Sequence, residues 1–166
     1  EGLYYPLGLG PHGLVSEALL LHMKSPAIHG ALNMIYRYGI TEDEAYAQKV
    51  YPYLRGVADF WEKDLVCRDG VYHVVGDGMH ERTDGNIRDN GVPENPVNTL
   101  GYLKTFFTWM PRISEALDLD EKKREKWLEI AENLAPYPKG TIREIQENPT
   151  LWKEVDVKLE DLLPEE

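Results

Sequence analysis

The residues best able to do chemistry in this sequence lie in one polar segment, residues 70–104. The segment is rich in glycine, asparagine and aspartate, and its acidic and imidazole groups are Asp77, His80, Glu81, Asp84, Asp89 and Glu94. A carboxylic acid can donate a proton near neutral pH when burial or a neighbouring carboxylate raises its pKa. Asp77 and Glu81 are close in sequence, so the pattern favours proton transfer by a loop carboxylic acid.

The same side chains are also of the types that bind metals, but their spacing matches no known ligand set. We therefore predict neither a metal nor a cofactor. For Glu81 the alternative is an ordinary solvated carboxylate. For Glu94 it is a negative charge at the start of the next helix, where such a charge is favoured. His80 is predicted to be a loop hydrogen-bonding residue or a substrate contact.

The length of the segment is itself informative, because ordered loops longer than about 12–15 residues are uncommon in compact domains and are often functional. Amphipathic helices are predicted on both sides of it. The first runs from Pro26 to Tyr38, with Gly39 as its stop. The second opens at a capping-box pattern, Thr41–Glu44, and extends to Cys67.

After the second helix, residues 71–75 are β-branched and aromatic, which predicts one half of a small hairpin. Beyond the polar segment, Asn95 and Pro96 open a third helix. A fourth helix is predicted at 121–134, with an apolar stripe that consists of Trp127, Leu128, Ala131 and Leu134. Helices with short connections pack as antiparallel hairpins, so we predict an all-α fold with a small β arm.

The net charge of −11 argues against nucleic acid as a partner, because phosphate recognition requires clustered lysine and arginine. It argues equally against an anionic membrane surface, and no apolar run approaches the roughly 20 residues that span a bilayer. Cys67 is the single cysteine, and its apolar neighbours favour a buried thiol. The compartment stays open, and a secreted or periplasmic location is compatible with the sequence.

One stretch resembles a known family. Residues 51–61 read YPYLRGVADFW and are similar to a Tyr-Pro-x-Leu-x-Gly-x-Ala-x-Phe-Trp segment of fucosidase-type inverting enzymes, which are six-hairpin glycoside hydrolases with an (α/α)6 toroid. Residues 95–138 are similar to the helical pair that follows the acid-bearing loop in that family. The resemblance covers residues 26–138. It implies that residues 1–166 are a single-domain fragment of a larger toroidal catalytic domain.

The resemblance also implies a general-acid glutamate in the intervening loop. The motif MHER, which contains Glu81, followed by NPVNTLGY resembles a pattern of phosphorylase-type relatives, but that alignment places Gly78 at their acid, with Asp77 beside it. The motif VPEN instead resembles a Ser-Pro-Glu-Asn pattern of the fucosidase-type enzymes and implies Glu94. Glu81 and Glu94 remain alternatives, with Glu81 ahead because His80 and Asp77 crowd it.

Inverting hydrolysis uses one protonated carboxyl and one ionised group, which are separated by about 6.5–9.5 Å to leave room for the attacking water. We expect the ionised base on a helix outside this chain, so the remainder of the parent chain is an expected partner and the chain alone should be inactive. A carbohydrate is the expected substrate. Its predicted contacts are His80, Trp61, Asn98 and Tyr102, and the alternative for the aromatic residues is a place in the core.

Two other classes of protein fit the same sequence. A glycan phosphorylase or polysaccharide lyase on the same fold would need basic side chains to bind phosphate or uronate. A non-catalytic helical module that binds glycan or protein would leave the loop carboxylates pointing into solvent.

Overall fold

In a computed structural model of the protein, the described residues are 2–3, 23–77 and 94–137. These parts are mostly helical and include one small antiparallel sheet. The elements are α1 (Pro26–Thr41), α2 (Glu44–Asp64), β1 (Val66–Arg68), β2 (Val71–His73), α3 (Val97–Ala116) and α4 (Arg124–Glu132). The predicted helical class with a small β arm is therefore confirmed. None of these helices is long and apolar enough to cross a membrane.

Helix α3 is central to the packing of the described helices, because it contacts both α1 and α4, while α1 also packs against α2. It begins directly after Asn95 and Pro96, as predicted, and continues through Pro111. A helix with neighbours on several sides needs apolar residues over much of its surface. Accordingly, α3 supplies a large share of the fully buried side chains: Leu100, Leu103, Phe106, Phe107, Met110 and Ile113.

Helix α1 does not stop at Gly39, so that prediction was wrong. The helix continues to Thr41, and Glu42 follows it in the left-handed conformation, with φ of 48°. A Cβ atom at Gly39 would lie 2.9 Å from the ring of Trp109 on α3. Glycine is therefore required here by the close approach of a ring from another helix, and helix termination falls to a later residue.

The predicted capping box at Thr41–Glu44 was also wrong. Asp43 is the N-cap of α2, and its carboxylate accepts a hydrogen bond from the Tyr46 N–H at 2.9 Å. The Thr41 hydroxyl instead donates to the Arg37 carbonyl at 2.9 Å. Because α1 extends to Thr41, this hydroxyl finds its acceptor in the last turn of its own helix.

Helix α2 ends at Asp64, before the predicted end at Cys67. Leu65 is buried and extended, and the next three residues form β1. Cys67 is exposed on this strand, so the predicted buried thiol was wrong. The apolar run that resembled a helix end is one buried leucine followed by a strand at the protein surface.

The two strands form a hairpin in which Cys67 is opposite Tyr72. The connecting residues Asp69 and Gly70 have φ values of 52° and 81°, as a two-residue turn of type I′ requires. The Tyr72 N–H donates to the Asn133 carbonyl at 2.8 Å, and the Tyr72 carbonyl accepts from the Ala135 N–H at 2.9 Å. The segment after α4 thus fixes the β arm to the helical body.

Charged side chains connect α2 to the turn between α3 and α4. The Lys123 ammonium lies 3.0 Å from Asp59 and 2.8 Å from Glu62. Arg55 contacts Asp59 and also Asp120, the latter at 2.9 Å. These groups are partly buried and form a connected network, which loses less side-chain entropy per contact than separate pairs on the open surface.

The fourth helix is shorter than the predicted span of 121–134, because its first turn is a 3₁₀ helix. Trp127 and Ala131 are buried, as predicted, but Leu128 is 43% exposed. Ile130 takes the third buried position, so the predicted stripe is wrong at Leu128.

Substitution of Trp61 tests the core. Its indole is fully buried, and its N–H has no acceptor among the described residues. Trp61→Ala should lower the free energy of unfolding by about 3–5 kcal/mol, because it opens a large cavity. Trp61→Phe retains most of the volume and removes the buried donor, so its loss should stay below about 2 kcal/mol. Urea unfolding followed by circular dichroism measures both values, and equal losses would contradict the packing described.

Candidate functional site

The carboxylate of Asp77 is fully buried beside the first turns of α1 and α3. One oxygen accepts a hydrogen bond from the Lys24 backbone N–H at 2.6 Å, and the other accepts one from the Thr99 hydroxyl at 2.6 Å. The backbone of Ser25, the N-cap position of α1, also favours the ionised carboxylate and acts to lower its pKa. Helix amino ends carry unpaired N–H groups and partial positive charge, which favour a carboxylate at this place.

Burial raises the pKa of Asp77 above its ordinary value of 3.8, and the hydrogen bonds from Thr99 and the backbone offset only part of this effect. A raised pKa is what a general acid needs. Both oxygens, however, are occupied by protein donors, and the group has no exposed surface. The arrangement fits an anchor better than a group that exchanges protons with a substrate.

Lys24 connects this anchor to two other parts of the fold. Its ammonium lies 2.9 Å from each oxygen of Asp64, at the end of α2, and donates to the Val75 carbonyl at 2.9 Å. Its backbone N–H at the same time binds Asp77. The three donors of an ammonium group are therefore all used, and Lys24 joins α2, the β arm and the start of α1.

Glu94 is paired with Arg68 of β1. The two guanidinium nitrogens bind the two carboxylate oxygens at 3.0 and 3.1 Å. This pairing lowers the pKa of Glu94. Since a general acid must hold its proton near neutral pH, the geometry favours the alternative role, a charged residue at the entry to α3.

The residues on either side of the polar segment 78–93, which lies outside the described residues, are joined to each other. The Asn95 N–H donates to the Val74 carbonyl at 2.8 Å, and the Val74 N–H donates to the Asn95 side-chain carbonyl at 3.0 Å. An antiparallel bridge between Val75 and Glu94 extends this pairing. We call these joined residues the root of the segment, 74–77 with 94–95.

The predicted substrate contacts occupy different environments. Trp61 lies in the core, which matches the alternative given for it. Tyr102 is half-buried on α3, and its ring stacks on the exposed imidazole of His29 on α1, with centroids 5.3 Å apart and planes inclined by 16°. Asn98 is half-buried one helical turn before Tyr102. Tyr102 and Asn98 therefore lie one turn apart along α3.

This ring pair lies close to the root. The backbone N–H of His29 donates to the Ser25 carbonyl at 2.9 Å. His29 therefore lies one turn into α1 from its amino end, which is the end that Asp77 contacts. One turn of helix corresponds to about 5.4 Å. A Cβ atom added at Gly101, next to Tyr102, would have no neighbour within 4 Å among the described residues, so none of them covers α3 at that point.

Glu81 and His80 fall outside the described residues, and their predicted roles stay predictions. Sequence reasoning missed three residues of this region, namely Lys24, His29 and Thr99. Lys24 and Thr99 read as ordinary residues near helix starts, and His29 as a lone histidine on a helix. Their importance depends on neighbours from distant parts of the chain, so no local pattern could have identified them.

Within the described ranges, no group of three histidine, cysteine or acidic side chains is arranged to hold a metal ion. Comparisons of the chain with protein-family models, with curated proteins and with solved structures give no match. The chemistry of the site therefore has to be inferred from its own residues.

Two substitutions at Asp77 test the anchor. Asp77→Ala leaves the Lys24 N–H and the Thr99 hydroxyl without their acceptor, so we expect a loss of about 2–4 kcal/mol in the free energy of unfolding. Asp77→Asn keeps one acceptor, and the Thr99 hydroxyl can rotate to accept from the new amide. Its loss should stay below about 1.5 kcal/mol. Urea titrations measure both free energies of unfolding. An Asp77→Ala variant as stable as wild type would contradict the anchoring role of Asp77.

The pH dependence of stability gives a second test. Because the pKa of Asp77 is raised, the folded state holds this proton more tightly than the unfolded state. The resulting stabilisation is fully present below the ordinary pKa of 3.8 and is lost as the pH rises through the higher folded value. The difference between wild type and Asp77→Asn, measured by urea unfolding, should therefore shift against wild type as the pH rises. Parallel curves would contradict the raised pKa.

Proposed function

We propose that this chain forms part of the catalytic domain of a carbohydrate-active enzyme that hydrolyses a glycosidic bond with inversion. The observation that carries the proposal is the stacked pair of His29 and Tyr102, which lies about one helical turn from the root of the acid-rich segment. A glycosidase requires a surface that binds a sugar ring next to a proton donor. In the proposal, the stacked pair supplies the sugar-binding surface and the segment supplies the proton donor.

The side chains around the pair have the chemistry that a sugar needs. An aromatic face packs against the apolar C–H face of a pyranose, while polar groups reach the hydroxyls. Asn98, the predicted polar contact, is half-buried and lies one helical turn before Tyr102. A Cβ atom at Gly101 would meet none of the described residues, which leaves room for a ligand at that point of α3.

Glu81 is the proton donor in this proposal, with His80 as a substrate contact. Asp77 is held in the interior by Lys24 and Thr99, and Glu94 is held ionised by Arg68. Both of these carboxylates are therefore used to hold the root. Glu81 is the remaining glutamate of the segment, and it lies outside the described residues.

The arrangement of the helices supports the same proposal. Helices α1 and α2 are joined by only two residues, and α3 and α4 are joined through one short turn. Helical hairpins of this kind are the repeated unit of an (α/α)6 toroid, and we propose that the chain contributes such hairpins to one. The further helices and the catalytic base would come from the rest of the parent chain.

The charges near the root favour a neutral sugar over a uronate, and hydrolysis over phosphorolysis. Lyases and phosphorylases need cationic groups that can bind a carboxylate or a phosphate. Near the root, the two described cations are Lys24 and Arg68, which are paired with Asp64 and Glu94. Recruiting either one to a ligand would break an existing ion pair.

The binding test compares three tyrosine variants. Tyr102→Ala should weaken the affinity for neutral oligosaccharides by about tenfold, the equivalent of about 1.4 kcal/mol, because the stacking surface is lost. Tyr102→Phe should bind nearly as well as wild type, since it keeps the ring. Tyr36→Ala removes a tyrosine that is 50% exposed elsewhere on α1 and serves as the control. Calorimetric titration against a panel of oligosaccharides gives the affinities. Equal losses of affinity in Tyr102→Ala and Tyr36→Ala would refute the proposed sugar-binding role of Tyr102.

Catalysis is tested separately with Glu81→Gln, in a form of the protein that also supplies the general base. Hydrolysis should fall by about 10²–10⁴-fold, with the affinity for the oligosaccharide retained. Binding without any hydrolysis in the wild-type protein would instead identify a non-catalytic glycan-binding module.

A further inference from the structure

A histidine lies next to the root, in contact with the side chain of Asn95. The Nδ1 atom of His73, the last residue of β2, lies 3.0 Å from the side-chain nitrogen of Asn95. Asn95 has a φ of 53°, in the left-handed region that asparagine tolerates better than most residues. Its side chain therefore spans from the entry of α3 to the β arm.

The orientation of the Asn95 amide follows from its second contact. Its Oδ1 atom lies 3.0 Å from the Val74 backbone nitrogen, which always carries a hydrogen and can only donate. If the amide were turned around, its NH₂ group would face this N–H, and two donors would oppose each other. Oδ1 therefore accepts from Val74, and the NH₂ group points at His73.

The amide orientation in turn fixes the protonation of His73. An NH₂ group only donates, so Nδ1 of His73 must accept and cannot carry a hydrogen. The imidazole must then be neutral, with its hydrogen on Nε2. A doubly protonated ring would bring an N–H against the NH₂ group of Asn95 and remove this hydrogen bond.

Other groups around His73 carry charge or limit its contacts. Glu94, beside Asn95, interacts electrostatically with His73, and Arg68 of β1 neutralises part of this effect by pairing with Glu94. Directly opposite His73 in the hairpin is Val66, which is uncharged.

We propose that His73 and Asn95 form a proton-sensitive clamp, which holds the root together when the imidazole is neutral and loosens it when the imidazole is protonated. Imidazoles generally change charge between about pH 5 and 8. Without its contact to His73, the Asn95 side chain is less well held. Its Oδ1 atom, which accepts from the Val74 N–H, is then held less firmly as well. A mildly acidic medium should therefore weaken the junction from which the polar segment emerges.

Hydrogen exchange in the full chain tests the clamp. The amide of Val74 donates to the Asn95 side chain, and the amide of Asn95 donates back to the Val74 carbonyl, so both report on the junction. We expect their protection factors, corrected for the intrinsic pH dependence of exchange, to fall by about five- to tenfold between neutral and mildly acidic pH, as loss of one hydrogen bond implies. The amide of Phe107, in the buried part of α3, reports global stability and should not follow this change.

Two variants assign the effect to the pair. His73→Asn places a carbonyl oxygen near the position of Nδ1 that accepts but does not titrate, so protection at Val74 should no longer vary over this range. Asn95→Asp keeps the acceptor for Val74 and adds an acceptor for a protonated ring. In this variant the dependence should reverse, with greater protection at lower pH, because the imidazolium and the carboxylate form a charge-assisted bond.

The outcomes separate the proposal from its rivals. A wild-type protection factor that is constant with pH overturns the clamp. So does a fall that persists in His73→Asn, because another group, such as Asp77, would then be the one that titrates. An unchanged slope in Asn95→Asp overturns it as well. These results depend only on the junction and do not depend on whether the protein binds or hydrolyses a glycan.

Discussion

A buried carboxylate at the starts of two helices is the interaction on which the described structure depends. Taking the ionised group of Asp77 out of water is costly unless it is compensated by hydrogen bonds. The amino ends of α1 and α3 supply this compensation, through the Lys24 backbone N–H and the Thr99 hydroxyl at 2.6 Å each. The same constraint places α1, α3 and the end of the β arm against one another. The Lys24 ammonium extends this junction to α2 through Asp64.

The junction determines where the chemistry of this protein can take place. The acid-rich residues 78–93 lie between Asp77 and Glu94 in the sequence, and the residues on either side are paired through Val74 and Asn95. The residues that flank this segment in sequence are thus held together at one end of the described helices. The stacked rings of α1 and α3 lie at the same end. Under the proposed function, Asp77 therefore anchors both the packing of the helices and the sugar-binding surface formed by His29 and Tyr102.

The acidic groups of this region divide by environment. Asp77 is buried and has a raised pKa, whereas Glu94 is exposed, paired with Arg68, and has a lowered pKa. Neither has the combination of accessibility and retained proton that a general acid requires. Two carboxylates from the same polar segment thus hold the structure in different ways, and residue type alone does not separate an anchor from a catalyst. The proposed clamp at His73 places a third titratable group at the same junction.

The sequence by itself determined the helical class, the start of α3 and the β arm, because apolar periodicity, caps and turn residues act over a few neighbouring positions. It did not determine the role of Gly39, the exposure of Cys67 or the burial of Asp77. Gly39 is explained by a ring on another helix, and Asp77 by a donor 53 residues away in the chain. Burial and the choice of partner depend on which distant segments meet. Only the tertiary structure decided that these residues hold the site together, and the chemistry predicted for Glu81 still rests on the sequence.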